Sequence, residues 1–379
     1  MSEIDLSLMA RALDIAQAGE PSPNPHVGCV IARHEAGELR IVGEGHHEAA
    51  GQPHAEALAL ERAGESARGA TAYITLEPCN HQGRTPPCVD ALISSGVARV
   101  VIACRDPNPH VAGGGVEKLR ASGVEVVVGV LEEQAAELIE PWAHYITEGR
   151  TCLSLKLALS LDGRIASRTG VSKWITSVES RAYSHKLRAR HDAVMVGLKT
   201  VVSDNPRLTV RALEAKNPIR VIVDSRLRLG LDRKVVVTAR ETPTCVITTH
   251  DADMEHQLKL EDEGVMVIRV PATPGGRCDM RAALRELAER EVVSLLCEGG
   301  AELAGSLLAD RLVSRLHAFI APILLGPRGL AGAVDWAGPE SPREAPRLAQ
   351  PRWELHGNDA HVTGRVLYGP ADVAADPAE

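Results

Sequence analysis

Apolar residues at Leu6, Met9, Leu13 and Ala16 recur at helical spacing, and Gly19 followed by Pro21 stops that helix. Two strand-like runs, 27–32 and 39–42, flank a polar turn containing Gly37. The pattern then predicts a helix over 54–63 ending at Gly64, a strand over 72–76, and a helix over 88–95 ending at Gly96. A strand over 99–103, a helix over 116–122 and a strand over 124–128 complete one three-layer α/β unit. A further helix over 132–147 runs to Glu148-Gly149-Arg150, where the boundary is placed: 1–148 forms one domain and 149–370 the other. With no long Pro/Gly/Ser linker there, the halves are expected to pack together. The second half alternates strands (153–159, 193–197, 219–223, 235–237, 245–248, 265–270, 292–297, 316–321) with helices, notably 178–189, 280–289 and 302–309. It reads as a second α/β domain. Pro-rich loops are expected over 338–351, and the patternless tail, 371–379, is expected to fray.

Composition narrows the partners. Of 379 residues only 2% are aromatic, which disfavours base-stacking on single-stranded nucleic acid. A net charge of −8 with no dense Lys/Arg block argues against nucleic acid or an anionic membrane. Eight cysteines are too sparse for a disulfide scaffold and suit a reducing compartment. The first twenty residues carry early acids and Arg11 and do not read as a signal peptide; no apolar run approaches the ~20 residues of a span. A soluble, cytoplasmic protein is expected.

The strongest chemical signal is His54-Ala55-Glu56 followed by Pro78-Cys79 and Pro87-Cys88. One His and two Cys supply three zinc ligands and leave a fourth position for water, whose pKa the metal lowers towards ~7. Glu56, two residues from His54, is placed to carry a proton between that water and a leaving amine. The start of the helix at Cys88 favours its thiolate.

His-x-Glu…Pro-Cys-x-x-Cys is a nucleobase-deaminase signature, but here eight residues separate Cys79 from Cys88. With Pro23-Asn24-Pro25, Val27-Gly28, Glu77-Pro78-Cys79 and Gly83-Arg84-Thr85-Pro86-Pro87-Cys88, the first half resembles the deaminase half of the bifunctional riboflavin-biosynthesis deaminase–reductases. The resemblance implies a cytidine-deaminase-like fold with one Zn2+ and a pocket for a phosphorylated ribosylaminopyrimidine. His81 and Arg84 become candidate phosphate contacts, or residues of a solvated loop, and Asn24 a candidate pyrimidine or ribose contact. Asp106-Pro107-Asn108-Pro109 also matches.

The second half resembles the same family's reductase at 156–164, Ser172-Lys173-Trp174-Ile175-Thr176, His191-Asp192-Ala193, 197–211, Glu298-Gly299-Gly300-Ala301-Glu302-Leu303 and 321–326. This implies a dihydrofolate-reductase-like fold that reduces the ribosyl chain with NADPH. The Gly-Gly turn before a helix suits a pyrophosphate, whereas no Gly-x-Gly-x-x-Gly is present. By resemblance, Ala158, Trp174, Thr200, Asp204, Ser225 and the turn Gly300, Ala301, Glu302, Leu303, Ala304, Gly305 and Ser306 contact the dinucleotide. Ser172, Arg188, Leu208, Arg211 and Glu298 contact substrate, Arg188 and Arg211 suiting a phosphate. Arg226 or Arg228 would favour the 2′-phosphate of NADP. Lys199 departs from the small residue usual in the family, and Lys156 lies near the site by motif with no role assigned. A homodimer through the reductase half is expected, with 316–325 as a candidate sheet edge. Two rival readings remain. A nucleic-acid deaminase would need a basic face and aromatics; a structural-zinc binding protein would need a fourth ligand, for which His81 is the nearest candidate.

Overall fold

The structure is a computed structural model that describes residues 2–35, 38–81, 86–109, 114–326 and 332–369. The expected frayed tail, 371–379, and Arg84 therefore lie outside the described residues. The chain divides into two compact units, Met1–Gly149 and Arg150–Glu379.

The first unit runs α1 (Glu3–Ala16), β1 (Gly28–Glu35), β2 (Glu38–His46), α2 (Ala55–Ala63), a 3-10 turn (Gly64–Ala67) and β3 (Thr71–Leu76). It continues with α3 (Cys88–Ser95), β4 (Arg99–Cys104), α4 (Gly115–Ala121), β5 (Glu125–Val128) and α5 (Glu132–Glu148). The sheet order is β2-β1-β3-β4-β5, with β1 antiparallel to its neighbours and β3, β4 and β5 parallel. Both faces are covered, so the central strands are apolar almost throughout. Cys29, Ile31, Ile74 and Val100 pack against Ala59, Val89, Leu92 and Leu119 of α2, α3 and α4. Alternate residues Val30, Ala32, Tyr73 and Val101 pack against Met9, Ala12, Ala135 and Ile139 of α1 and α5. These are the three layers that the hydrophobic pattern requires.

Glycine sets how closely α2 sits on β2. A Cβ at Gly45 would lie 2.4 Å from the Ala55 carbonyl oxygen, and one at Gly43 2.1 Å from that of Ala59. Any side chain there would lift α2, and with it the residues at its start, off the sheet.

The second unit contains β6 (Cys152–Ser160), α6 (Val178–Ala189), β7 (Ala193–Gly197), α7 (Leu198–Asp204), β8 (Ile219–Val223), α8 (Lys234–Val237) and β9 (Thr244–Thr249). Then follow α9 (Met254–Asp262), β10 (Val265–Val270), α10 (Met280–Ala288), β11 (Ser294–Cys297), α11 (Ala301–Ala309), β12 (Arg315–Ala321), β13 (Arg347–His356) and β14 (Asp359–Leu367). Its sheet order is β10-β9-β8-β7-β11-β6-β12-β14-β13. The first seven strands in that order are parallel, and β14 and β13 are antiparallel additions.

Three expectations fail here. Residues 235–237 form one turn of helix, not a strand. Adjacent Val235 and Val236 are both buried, which a strand with one covered face does not allow. The Asn205 side chain accepts from Lys234 N, and the Thr244 hydroxyl donates to the Val235 carbonyl, fixing the turn. The Pro-rich segment is not loop throughout, because β13 begins at Arg347. Pro351 falls where the register shifts between Ala349 and Arg352, and β13 is an edge strand, the two places where a sheet accepts proline. Finally, the apolar run from 316 is no sheet edge: β12 lies between β6 and β14. Helices α7 and α9 were not anticipated as elements.

Candidate active sites

In the first unit, the chemistry collects where two helices begin. His54 is the residue that precedes α2, Cys79 follows β3, and Cys88 is the first residue of α3. Cys88 N donates to Cys79 Sγ at 3.4 Å, and Val89 N to the Cys79 carbonyl at 3.3 Å, so the end of β3 is tied to the start of α3. His54 Nδ1 lies 3.2 Å from Cys88 Sγ and 3.7 Å from Cys79 Sγ. A tetrahedral zinc with N at ~2.0 Å and S at ~2.3 Å separates such donors by about 3.5 Å, so the three side chains fit one ion. The Cys79–Cys88 hydrogen bond lowers Cys79 to about 4, and the same bond together with burial pushes Cys88 up. His54 is raised, chiefly by its hydrogen bond with Cys79.

Glu56 is in the first turn of α2 and is 3% exposed. Burial pushes its carboxyl up from the usual range, and the neighbouring Cys79 adds to the shift. A buried carboxyl beside these donors is placed to accept a proton and return it. The Asn24 amide nitrogen is 2.9 Å from His47 Nε2, and His47 Nδ1 is 3.1 Å from the Pro53 carbonyl oxygen. The ring of His47 stands edge-on to that of His54, 5.4 Å away. His81 is exposed, and Asp106 is raised mainly by burial, with Glu77 adding to the shift and His81 opposing it.

In the second unit, candidates sit at the carboxyl ends of the parallel strands, where open α/β sheets bind ligands. Glu298 and Gly299-Gly300 follow β11, and α7 follows β7 directly. Gly299 and Gly300 have φ of +119° and +91°, conformations that favour glycine. A Cβ at Gly299 would meet nothing within 4 Å, and one at Gly300 would face Thr200 Oγ1 at 3.6 Å. The bare backbone therefore leaves a cradle in front of α11, suited to a pyrophosphate. Lys199 pairs with Glu302 in the first turn of α11, and Arg277 approaches the same carboxylate at 3.5 Å. Glu298 accepts both Nε and Nη2 of Arg188, the latter at 2.8 Å, while Arg188 Nη1 donates to the Thr209 carbonyl at 3.0 Å. Burial pushes Glu298 up, but the charge and hydrogen bonds of Arg188, helped by Lys156, outweigh it and hold the carboxyl at about 2. Burial pushes Lys156 down.

Comparison with known proteins assigns both halves. Residues 151–362 match the RibD C-terminal domain, and residues 2–104 match the cytidine and deoxycytidylate deaminase zinc-binding region. The riboflavin biosynthesis protein RibD of Aquifex aeolicus is 45% identical over 360 residues, covering 94% of this chain and 97% of that protein. Its Escherichia coli counterpart is 41% identical over 355 residues, covering 90% and 93%. A solved structure from Thermotoga maritima, a diaminohydroxyphosphoribosylaminopyrimidine deaminase/5-amino-6-(5-phosphoribosylamino)uracil reductase, superposes with a TM-score of 0.82. It shares 36% identity and covers 96% of this chain and 99% of that one.

The chain belongs to the RibD family. It is a bifunctional deaminase–reductase of riboflavin biosynthesis, with a cytidine-deaminase-like first half and a RibD-type reductase second half. Within that RibD frame, several site expectations shift. Trp174 is 70% exposed, under the Arg181 guanidinium at 4.3 Å, so it is not a core residue. Asp204 closes α7, and Ala158 lies on β6. Ser225 Oγ accepts from Cys278 N at 3.0 Å. Of residues 300–306, Gly300, Glu302, Leu303 and Ser306 are partly exposed and Ala301 is buried. Ala304 is fully buried in the core, and a Cβ on Gly305 would lie 2.0 Å from the Asp335 carbonyl oxygen. Leu208 is 3% exposed and packs in the core, leaving only its backbone for substrate. Arg188 is paired with Glu298 and the Thr209 carbonyl, Arg211 is exposed, and Ser172 is partly exposed. His47 and Glu77 were missed. Glu77 is buried and accepts Val116 N at 3.1 Å and Asp106 N at 3.4 Å, tying the 106–109 segment to the end of β3. No spacing rule marks either residue. The visible hints were the His46-His47 pair and the place of Glu77 in Glu77-Pro78-Cys79, neither of which carried a role.

Proposed function

We propose that residues 1–148 hydrolyse the exocyclic amine of 2,5-diamino-6-ribosylamino-4(3H)-pyrimidinone 5′-phosphate and that 149–370 then reduce the ribosyl chain to ribityl with NADPH. The observation that carries the first step is a buried carboxyl, Glu56, beside three donors spaced for one zinc. His54, Cys79 and Cys88 hold the ion, which when bound makes water acidic enough to lose a proton at neutral pH. Glu56 takes that proton and hands it to the departing ammonia. Asn24, held by His47, hydrogen-bonds the pyrimidine or ribose.

For the reduction, NADPH supplies the hydride when bound. The Gly299-Gly300 turn and Thr200 receive its pyrophosphate, and Ala158, Trp174, Asp204 and Ser225 line the rest of its path. Glu298, kept ionised by Arg188, and Arg211 orient the substrate. Arg226 and Arg228 are exposed after β8 and answer the 2′-phosphate. A charge-assisted contact of ~1.5–3 kcal/mol corresponds to roughly a 10–150-fold preference over NADH. Titrating the full chain with both dinucleotides checks this, and equal affinities reject it. We place the protein in the cytoplasm: all eight cysteines are free, and among the described residues no helix is long and apolar enough to cross a membrane. We also propose a homodimer through the reductase half. Its support is the edge strand β13, where Trp353 and Leu355 are 64% and 75% exposed. Sedimentation equilibrium at micromolar concentration reporting a single-chain mass rejects it. The whole reading is tested by following ammonia release and NADPH oxidation separately with the diamino substrate. Absence of the first removes the deaminase assignment, and absence of the second removes the reductase assignment.

A further inference from the structure

Away from both sites, three metal-ligating side chains converge on the C-terminal hairpin. Glu354 and His356 are two apart on β13 and share a face, and His361 stands directly opposite Glu354 on β14. His356 Nε2 is 3.3 Å from His361 Nδ1 and 3.7 Å from Glu354 Oε2, and the three ligand atoms all lie within 4.8 Å of one another. A cation with bonds of ~2.0–2.2 Å to N and O sets its donors about 3–3.5 Å apart, so the hairpin already holds them near their places.

The surroundings hold the rings as a metal site requires. Phe319 of β12 stacks on His361 with centroids 4.3 Å apart and planes within 3°, and Tyr183 of α6 covers His356 at 4.4 Å. The far nitrogen of His361, Nε2, is 3.4 Å from His317 Nδ1. A ligating imidazole needs such an outer partner to fix its tautomer. His361 is fully buried, the His356 side chain is 16% exposed and that of Glu354 50% exposed. The cluster thus opens to solvent on its carboxylate side, which gives an ion a way in.

We propose that Glu354, His356 and His361 form a second metal site, for a late first-row divalent cation such as Zn2+ or Ni2+. Two imidazole nitrogens with one carboxylate suit these ions and not Ca2+ or Mg2+, which take oxygen ligands. His356 Nε2 and His361 Nδ1 face each other at 3.3 Å, and ligation needs both unprotonated, so each neutral ring carries its N–H on the other nitrogen, that of His361 Nε2 directed at His317 Nδ1, and no net proton is released. The bound ion clamps β13 to β14. Through His317 and Phe319 it reaches β12, whose register places these residues opposite Lys156 and Ala158 of β6. The site is thus a clamp on the β13 end of the reductase sheet.

The test uses the full-length protein stripped of metal and titrated with Co2+, a spectroscopic stand-in for zinc. The expected result is two equivalents per chain. One shows thiolate charge-transfer absorption and is lost in Cys79→Ser. The other shows only weak ligand-field bands and is lost in His356→Ala. Glu354→Gln, at a half-exposed position, keeps the fold and weakens the second equivalent, and His317→Leu weakens it by ~10–100-fold as an outer partner. In Cys79→Ser, added Zn2+ should raise the unfolding temperature, and this rise should vanish in Cys79→Ser/Glu354→Gln. A wild-type titration that saturates at one equivalent overturns the proposal. So does a second equivalent that binds Glu354→Gln and His356→Ala as tightly as wild type.

Discussion

The two halves of this chain build their sites in opposite ways. In the first unit, His54, Glu56, Cys79 and Cys88 come from within 35 residues of sequence, at the starts of α2 and α3 and the end of β3. His54, Cys79 and Cys88 each bring a ligand atom within 4 Å of another, and one zinc ion would gather all three. In the second unit, contributions arrive from β6, α6, α7, the end of β11 and the start of α11, spread over about 150 residues of sequence. There the decisive contacts are an ion pair between α6 and the end of β11, and a glycine turn. A compact donor set depends on each of its members. A site assembled from many strand ends depends on the sheet that aligns them.

Cys79→Ser should give the largest effect. It should lose one equivalent of zinc and bring ammonia release below detection, while reduction of the deaminated compound supplied from outside stays normal. Metal analysis with the two assays run separately checks this; a reductase that fails in parallel would break the contrast between the halves. Next, Glu56→Gln should keep its zinc and fold and slow deamination by ~10²–10⁴-fold, the usual loss when a proton carrier is removed. Near-normal ammonia release would remove Glu56 from that role.

In the other half, Arg188→Met strips the buried partner from Glu298. Breaking such a pair costs about 3–5 kcal/mol, measurable by denaturant unfolding of the reductase unit. The sign of the pH response is equally diagnostic. Glu298 is lowered from 4.5 to about 2, so the pair's contribution is full above pH 4.5 and is lost as pH falls towards 2. In Arg188→Met, burial dominates and the dependence reverses, with stability rising as the carboxyl takes up a proton. Deamination should be unaffected throughout. The smallest effect expected is from Gly45→Ala, which forces α2 away from the Ala55 carbonyl contact at about 1–3 kcal/mol. Deamination should fall with no change in the reductase. A variant with full deaminase activity would show that α2 does not need its seat on β2.

This contrast also explains what could be read in advance. In the first unit the elements matched within a few residues, because both sheet faces are covered and α2, α3 and α5 end on the glycines Gly64, Gly96 and Gly149. His54, Cys79 and Cys88, which the structure brings together, could be singled out because their residue types are chemically restricted. His47 and Glu77 were not, since each acts by holding another residue and no periodicity records that. In the second unit, Val235 and Val236 looked like a strand because short apolar runs do not distinguish strand from buried turn. The β13–β14 hairpin was hidden by Pro351 and by the exposure of β13 on both faces, with no alternation of buried and exposed positions. Arg188 was placed on the substrate by resemblance and by the bidentate geometry of guanidinium, and the sequence holds no sign of its pairing with Glu298, 110 residues away.

The tie between Cys79 and Cys88 has a consequence for how such an enzyme can diversify. Both ends of the intervening segment are fixed by backbone bonds that do not involve its middle. Lengthening a flexible loop is inexpensive in entropy, about 0.6 kcal/mol for each doubling. Residues can therefore be inserted or exchanged between the two thiols while the ligand triangle keeps its dimensions. The spacing of the three ligands is thus insulated from the composition of the stretch between the thiols, so substitutions there need not disturb the metal.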